Sequence, residues 1–192
     1  MGTDHPMTIY ISAASDLMAE REMLARMIAA LPVTLAWHIA QTPVTDSDSL
    51  DLEALQIADL HLLVMGGDIR APVGLEWHIV RRVGRPSSAF LKRDIPRTPA
   101  GQVFIHDAGV TWRPFSDAGD LSRQVRQMLA EYLVRHAAHY ALTPEEVAQL
   151  EALRTADTPA EQPAQGEEAG HSAVILSRER YIPGEGVIVD ES

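Results

Sequence analysis

The sequence predicts an α/β domain: a doubly wound parallel sheet of about five strands, order 2-1-3-4-5, flanked by helices. Three observations predict it. Short apolar, often β-branched runs alternate with segments whose apolar residues recur at helical spacing, the pattern of βα units. Consecutive βα units joined by right-handed crossovers build a parallel sheet whose winding reverses between strands 1 and 3. The chain has 192 residues, 46% hydrophobic and 22% charged, which suits one core plus a tail. With only 5% aromatic residues, aliphatic side chains must fill that core.

Met7 to Ile11 is short and β-branched and reads as the first strand, after an N-terminal extension, residues 1–6. Ser15 or Asp16 offers an N-cap for a helix bearing Leu17, Leu24, Met27, Ile28 and Leu31. Val33 to Ile39 reads as the second strand. A polar loop, TPVTDSDSLD, follows, then a short helix through Leu52, Leu55 and Ile57. Leu60 to Met65 is the third strand, ending in Gly66-Gly67. Leu75 to Val83 reads as a helix stopped by Gly84, and Ser87 to Leu91 as the fourth strand. Pro96 and Pro99 break the next stretch, where Val103–Ile105 and Val110–Trp112 both compete for the fifth strand. Asp117 or Asp120 can cap a long amphipathic helix with Leu121, Val125, Met128, Leu129, Tyr132 and Leu133. Thr143-Pro144-Glu145-Glu146 combines an N-cap, a proline at the first helical position and first-turn acids, and starts a helix to Leu153. The α/β domain is expected over residues 7–154.

Charge is uneven. Residues 155–192 hold eight acids and two bases, a net of −6 against −5 for the preceding 154. Residues 155–170 lack any aliphatic larger than Ala and read as an acidic flexible linker. In residues 171–192, SAVILSRERY and GVIVDE flank IPGE, a pattern for a β-hairpin. The overall charge of −11 argues against nucleic acid as a partner, since phosphate neutralisation needs an excess of cations. The sequence has no cysteine, which removes disulfides, thiol nucleophiles and thiolate metal sites. The polar start, Met1 to Pro6, and the absence of an apolar run near the roughly 18 residues of a membrane span predict a cytoplasmic protein with no membrane association. His136 and His139 have a metal-pair spacing but no carboxylate to complete a set, so no metal site is expected.

In a sheet of this order the ligand crevice lies outside the carboxyl ends of strands 1 and 3. The loop after strand 1 holds Ser12, Ala13, Ala14, Ser15 and Asp16. The loop after strand 3 holds Gly66, Gly67, Asp68 and Arg70, with Glu76 and Trp77 in the next helix.

The segment ISAASDLMAER, residues 11–21, resembles the S…D-L-x-x-E-R opening of a TIR-like domain of unknown function, common at the N-termini of bacterial multidomain signalling and conflict-system proteins. GGDIRAPVGLEW resembles that family's glycine-containing loop and helix-start glutamate, VGRPSSAFLK its next helix end and strand, and VTWRPFSDAGDL its last strand and helix. The resemblance spans about residues 7–139 and implies a flavodoxin-like, TIR-like fold. It departs from the family in the first loop, where Ala13 and Ala14 stand in place of hydroxyl and aromatic residues. Main-chain amides are then what this loop offers a ligand.

Enzymatic TIR domains and the related nucleoside deoxyribosyltransferases place a glutamate on the corresponding helix, so the resemblance implies Glu76 as the catalytic carboxylate for an N-glycosidic bond. A carboxylate suits that chemistry, because cleavage builds an oxocarbenium-like charge at the anomeric carbon. Gly66, Gly67 and Gly74 would let backbone approach a ribose or phosphate, Arg70 could bind a diphosphate oxygen, and Trp77 could stack on a base. Ser12, Ala13, Asp16, Arg21 and Asp68 complete the candidate ligand-binding set. The competing account is structural: Glu76 favours a helix N-terminus by roughly 0.3–1 kcal/mol, Asp16 is an N-cap, and Glu20 and Arg21 form ion pairs.

Three functions follow as expectations. One is an NAD or nucleotide glycohydrolase in bacterial signalling or defence, with no cofactor and with NAD or a relative as substrate. Another is a non-catalytic interaction or sensor module, partnered by a second copy or another signalling protein. The third is a nucleoside 2-deoxyribosyltransferase-like enzyme.

Overall fold

The computed structural model describes residues 6–44 and 49–156. Five parallel strands, β1 (Met7–Ala13), β2 (Trp37–Gln41), β3 (Leu60–Met65), β4 (Ser87–Lys92) and β5 (Trp112–Phe115), form one sheet in the order β2-β1-β3-β4-β5. The helices between them are α1 (Met18–Ala29), α2 (Leu52–Ile57), α3 (Ala71–Val83) and α4 (Pro99–Asp107), followed by α5 (Ala118–Arg135) and α6 (Pro144–Ala156). This is the doubly wound α/β arrangement. The expected linker and β-hairpin fall on residues 157–192, outside the described residues. Among the described residues no helix is long and apolar enough to cross a membrane.

Strand parity assigns the two faces. In β1, Met7, Ile9, Ile11 and Ala13 pack with Leu24 and Ile28 of α1 and Leu121, Val125 and Leu129 of α5. Tyr10 points the other way, into a cluster with Ala54 and Leu55 of α2 and Val80 of α3. In β3, Leu62 and Val64 join the first cluster, whereas Leu63 joins Val73 and Trp77 of α3. Both faces are covered, so nearly every residue of β1 and β3 is buried, as parallel strands under two helical layers require.

Several boundaries differ from expectation for identifiable reasons. The second strand is Trp37–Gln41 rather than Val33–Ile39, because pairing with β1 begins at Met7↔Trp37. Val33 and Leu35 instead pack against the core from the approach. Helix α3 starts at Ala71, four residues early, since Pro72 falls where no intrahelical N–H is needed. Gly84 ends it in the left-handed conformation, φ 74°. Val103–Ile105 is helical rather than a strand: Thr98 caps α4 by accepting from Gly101 N at 3.1 Å, and Pro99 takes its first position. Trp112–Phe115 is therefore the fifth strand.

Glu146 fastens α6. Its Oε2 accepts from Thr143 N (2.7 Å) while Thr143 Oγ1 accepts from Glu146 N (3.2 Å), a capping box. Its Oε1 accepts from the amide (2.5 Å) and hydroxyl (2.7 Å) of Thr34, 112 positions away in sequence. Donation from the Thr143 and Thr34 amides and hydroxyls holds this carboxyl down to about 2. A depressed carboxyl stabilises the fold above its ordinary range and loses that contribution as pH falls through it towards about 2. Glu146→Ala is accordingly expected to cost about 2 kcal/mol in urea unfolding at pH 7, with a much smaller difference near pH 2.5. An equal loss at both pH values would show that the carboxylate charge plays no part.

Candidate functional site

A cavity of about 580 Å³ opens at the carboxyl ends of the strands, where the winding reverses. Ala13, Ala14 and Ser15 of the first loop line one side, Thr42, Pro43, Val44 and Leu50 of the β2–α2 connection another, and Arg70 to Val73 with Leu75 of α3 the third. The volume lies within the range of small-molecule sites.

Glu76 sits immediately behind that cavity and does not itself line it. The side chain has 0% exposure and lies in the inward stripe of α3 with Val73, Trp77 and Val80. Parity of the strands places its partners. Tyr10 and Ser12 occupy the same face of β1, His61 pairs opposite Tyr10 in β3, and Thr42 follows Ala40 by two positions. All four therefore turn towards α3. Tyr10 donates to Glu76 Oε1 at 2.8 Å and Thr42 Oγ1 donates to Oε2 at 2.7 Å. Ser12, on the same face, places its hydroxyl 2.8 Å from His61 Nε2. Burial raises the Glu76 pKa, opposed by the Ser12, Thr42 and Tyr10 hydroxyls and then by the nearby Arg21 charge. Burial and the adjacent Glu76 likewise raise that of Tyr10.

Thr42 is the link between carboxylate and cavity. It lines the cavity, gives its hydroxyl proton to Glu76, accepts from Ala13 N at 3.1 Å, and receives the Arg21 guanidinium on its carbonyl oxygen. Thr42 was not among the sequence candidates because a second strand ending at Ile39 leaves it mid-loop. With β2 ending at Gln41 it is the first residue past a strand, where ligand-facing side chains concentrate. Tyr10 and His61 were missed for a related reason: in a strand buried on both faces a polar residue has no periodic signature.

The other candidates separate into cavity and scaffold. Ala13 and Arg70 line the cavity, although the Ala13 amide is already engaged by Thr42 and is not free for a ligand. Ser12 is the buried penultimate residue of β1, not part of a loop, and it faces Glu76. Arg21 is buried beneath Thr42. Neighbouring Glu20 pairs with Lys92 at 2.6 Å. Asp16 makes no cap hydrogen bond; its Oδ2 accepts from Gly67 N at 2.8 Å, tying the first loop to the third. Gly66 and Gly67 are needed for that closure. A Cβ on Gly66 would lie 2.3 Å from Asp16 Oδ2, and one on Gly67 2.8 Å from the Pro96 carbonyl oxygen. Gly74 has open space around it. Asp68 accepts from its neighbour Ile69 N (2.9 Å) and from Thr98 Oγ1 (2.6 Å). Trp77 is buried between His61 and Arg81 and presents no face to the cavity. Among the described residues no group of three His, Asp or Glu converges to hold a metal.

No family model matches the chain, and no curated protein matches it. Among solved structures the chain is similar to the Clostridium botulinum CMP N-glycosidase BcmB, with 14% identity, 61% of this chain and 97% of that chain covered, and a TM-score of 0.41.

Proposed function

We propose that this chain is a TIR-like module that binds a nucleotide in the 580 Å³ cavity, and that Glu76 acts on its N-glycosidic bond. One observation supports this reading above the rest: at the cavity edge the hydropathy of two neighbours is inverted. Leu75 is 52% exposed and lines the cavity, while Glu76 beside it is 0% exposed. A fold left to burial energetics alone would bury the leucine and solvate the glutamate. Groups held against that tendency at a cleft, with a perturbed pKa, are candidates for chemistry.

The remaining features fit a nucleotide. The first turn of α3 has no side-chain cap, so the Ala71 and Val73 N–H groups and Arg70 together offer an anion site at the cavity wall. Val44, Leu50, Pro72, Val73 and Leu75 supply the apolar surface a base or ribose covers. For catalysis Thr42 must release Glu76, so that the carboxylate meets the anomeric carbon as the bond to the base breaks and positive charge develops there; the base departs with the bonding electron pair, water adds to the anomeric carbon, and the proton that water loses passes to the base or to solvent.

The test is incubation of the purified chain, across a range of protein concentrations, with NAD and with ribonucleoside 5′-monophosphates, following release of the free base. Base release that depends on Glu76 supports the reading, and no release at any concentration overturns it. Base exchange on deoxynucleosides in place of hydrolysis would move the assignment to deoxyribosyl transfer. A second reading, a nucleotide-binding sensor without turnover, is favoured by the occupation of both Glu76 oxygens by Tyr10 and Thr42. Calorimetric binding of NAD with no base released is its signature.

A further inference from the structure

We infer that the free edge of β2 is an interface for a second copy of this chain, which pairs its own β2 antiparallel about a two-fold axis between the two Ile39 residues. In the order β2-β1-β3-β4-β5, β2 is one of the two sheet edges. The bonds from Met7 N to Ala36 O (2.9 Å) and from Thr42 N to Ile11 O (3.1 Å), with the register Met7↔Trp37 to Ile11↔Gln41, fix which way its backbone points. Ala36, His38, Ala40 and Thr42 turn their N–H and C=O groups towards β1. Trp37, Ile39 and Gln41 alternate with them and direct theirs outwards. Among the described residues, none of these outward groups has a hydrogen bond.

The opposite edge of the sheet is closed. Arg93 N donates to Phe115 O at 2.8 Å, so Arg113 and Phe115 turn towards β4 while Trp112 and Pro114 face outwards. Pro114 has no N–H to offer, and its carbonyl already accepts from Gln124 Nε2 at 2.9 Å. A proline at such a position guards a free edge against pairing. Strand β2, with the sequence WHIAQ, carries no proline and no charged side chain, and its register with β1 runs without a bulge.

The partner that fits this edge is the same edge. In the antiparallel register centred on Ile39, Ile39 faces Ile39 and Trp37 faces Gln41, and every outward N–H meets a carbonyl of the other copy. Trp37 and Ile39 are half-buried and pack against the core beside α1, so the pairing covers the surface they still expose. On the other face, exposed His38 lies opposite buried Ala40, a large residue against a small one. The chain carries a net charge of −11, yet this strand meets itself without opposing like charges. Five residues bury less than the ~1,200 Å² of a stable complex, so the dimer dissociates on dilution. With β5 closed, growth stops at two copies.

The test is sedimentation of the full chain across a range of concentrations. A monomer–dimer equilibrium with no larger species is expected. Gln41→Pro removes an outward N–H that makes no bond within the chain, and is expected to weaken association at least about tenfold. Ile39→Lys and Ile39→Glu each set like charges opposite one another and are expected to be monomeric alone, whereas a mixture of the two is expected to dimerise. Recovery on mixing separates direct pairing at residue 39 from a general loss of structure. A chain monomeric at every concentration overturns the inference and leaves the edge to an extended segment of another protein. Association unchanged in Gln41→Pro and in the charged variants also overturns it. If the charged variants do not fold, Gln41→Pro decides alone. Sedimentation needs no substrate, so a chain that releases no base leaves this result unaffected.

Discussion

Replacing Glu76 with Gln is expected to lower base release from NAD or a nucleotide by at least a hundredfold, since an amide cannot carry the negative charge that meets an oxocarbenium-like centre. The variant should remain folded. Tyr10, Ser12 and Thr42 hydroxyls can each turn from donor to acceptor and satisfy the new amide protons. A pH signature separates this from simple damage. The folded-state Glu76 pKa is raised by burial, so the group stabilises the fold below its unfolded value, and that contribution is lost as pH rises through the folded value. Wild-type stability should therefore decline with rising pH across that window, and Glu76→Gln should remove this part of the slope. Unchanged turnover in a folded Glu76→Gln chain would sink the catalytic assignment.

Arg21→Leu is expected to be the most destabilising single change at the site, by about 3 kcal/mol at pH 7 in denaturant unfolding. Arg21 is buried, donates to the Thr42 carbonyl, and is the cation whose charge favours ionised Glu76. Without it a carboxylate remains in a desolvated site held only by neutral hydroxyls. The figure sits at the low end for a broken buried pair because Thr42 bridges the two charges. The loss should shrink at acidic pH, where Glu76 is protonated and needs no counter-charge. Arg21→Leu combined with Glu76→Gln should recover part of it, since the stranded charge is gone. A loss independent of pH, with strict additivity in the double variant, would show that Arg21 acts by packing its alkyl stem and by the Thr42 bond alone.

Thr98-Pro99 and Thr143-Pro144 show how context limits a local signal. Both threonines cap helices with proline at the first helical position. At residue 143 the following acids made the start legible, whereas at residue 98 the β-branched Val103 and Ile105 suggested a strand. Val103 proves 61% exposed on α4, so tertiary packing never tested its strand preference. The strand ending at Met65, by contrast, matches its expected limits residue for residue, because an apolar run closed by Gly66-Gly67 allows few other readings.

The site was legible in outline only. A glutamate on the helix after strand 3 could be found in the sequence, but its orientation could not. Leu75 and Glu76 are adjacent, and hydropathy alone turns the helix so that the leucine is inside. The hydroxyls that retain Glu76 come from positions 66 and 34 residues before it, one inside a strand whose polar members give no periodic signal and one just past a strand end.

By itself the sequence determined the alternation of strands and helices, hence the parallel sheet, its order and the end of it where a crevice forms. Those follow from short-range periodicity and from the fixed hand of βα crossovers. Only the tertiary structure decided that Tyr10, Ser12, Thr42 and Arg21 converge around Glu76, since that requires strand parity, register and helix rotation to act together across segments far apart in the chain. A buried carboxylate is tolerable only where such partners arrive from several elements at once, and no single stretch of sequence contains that condition.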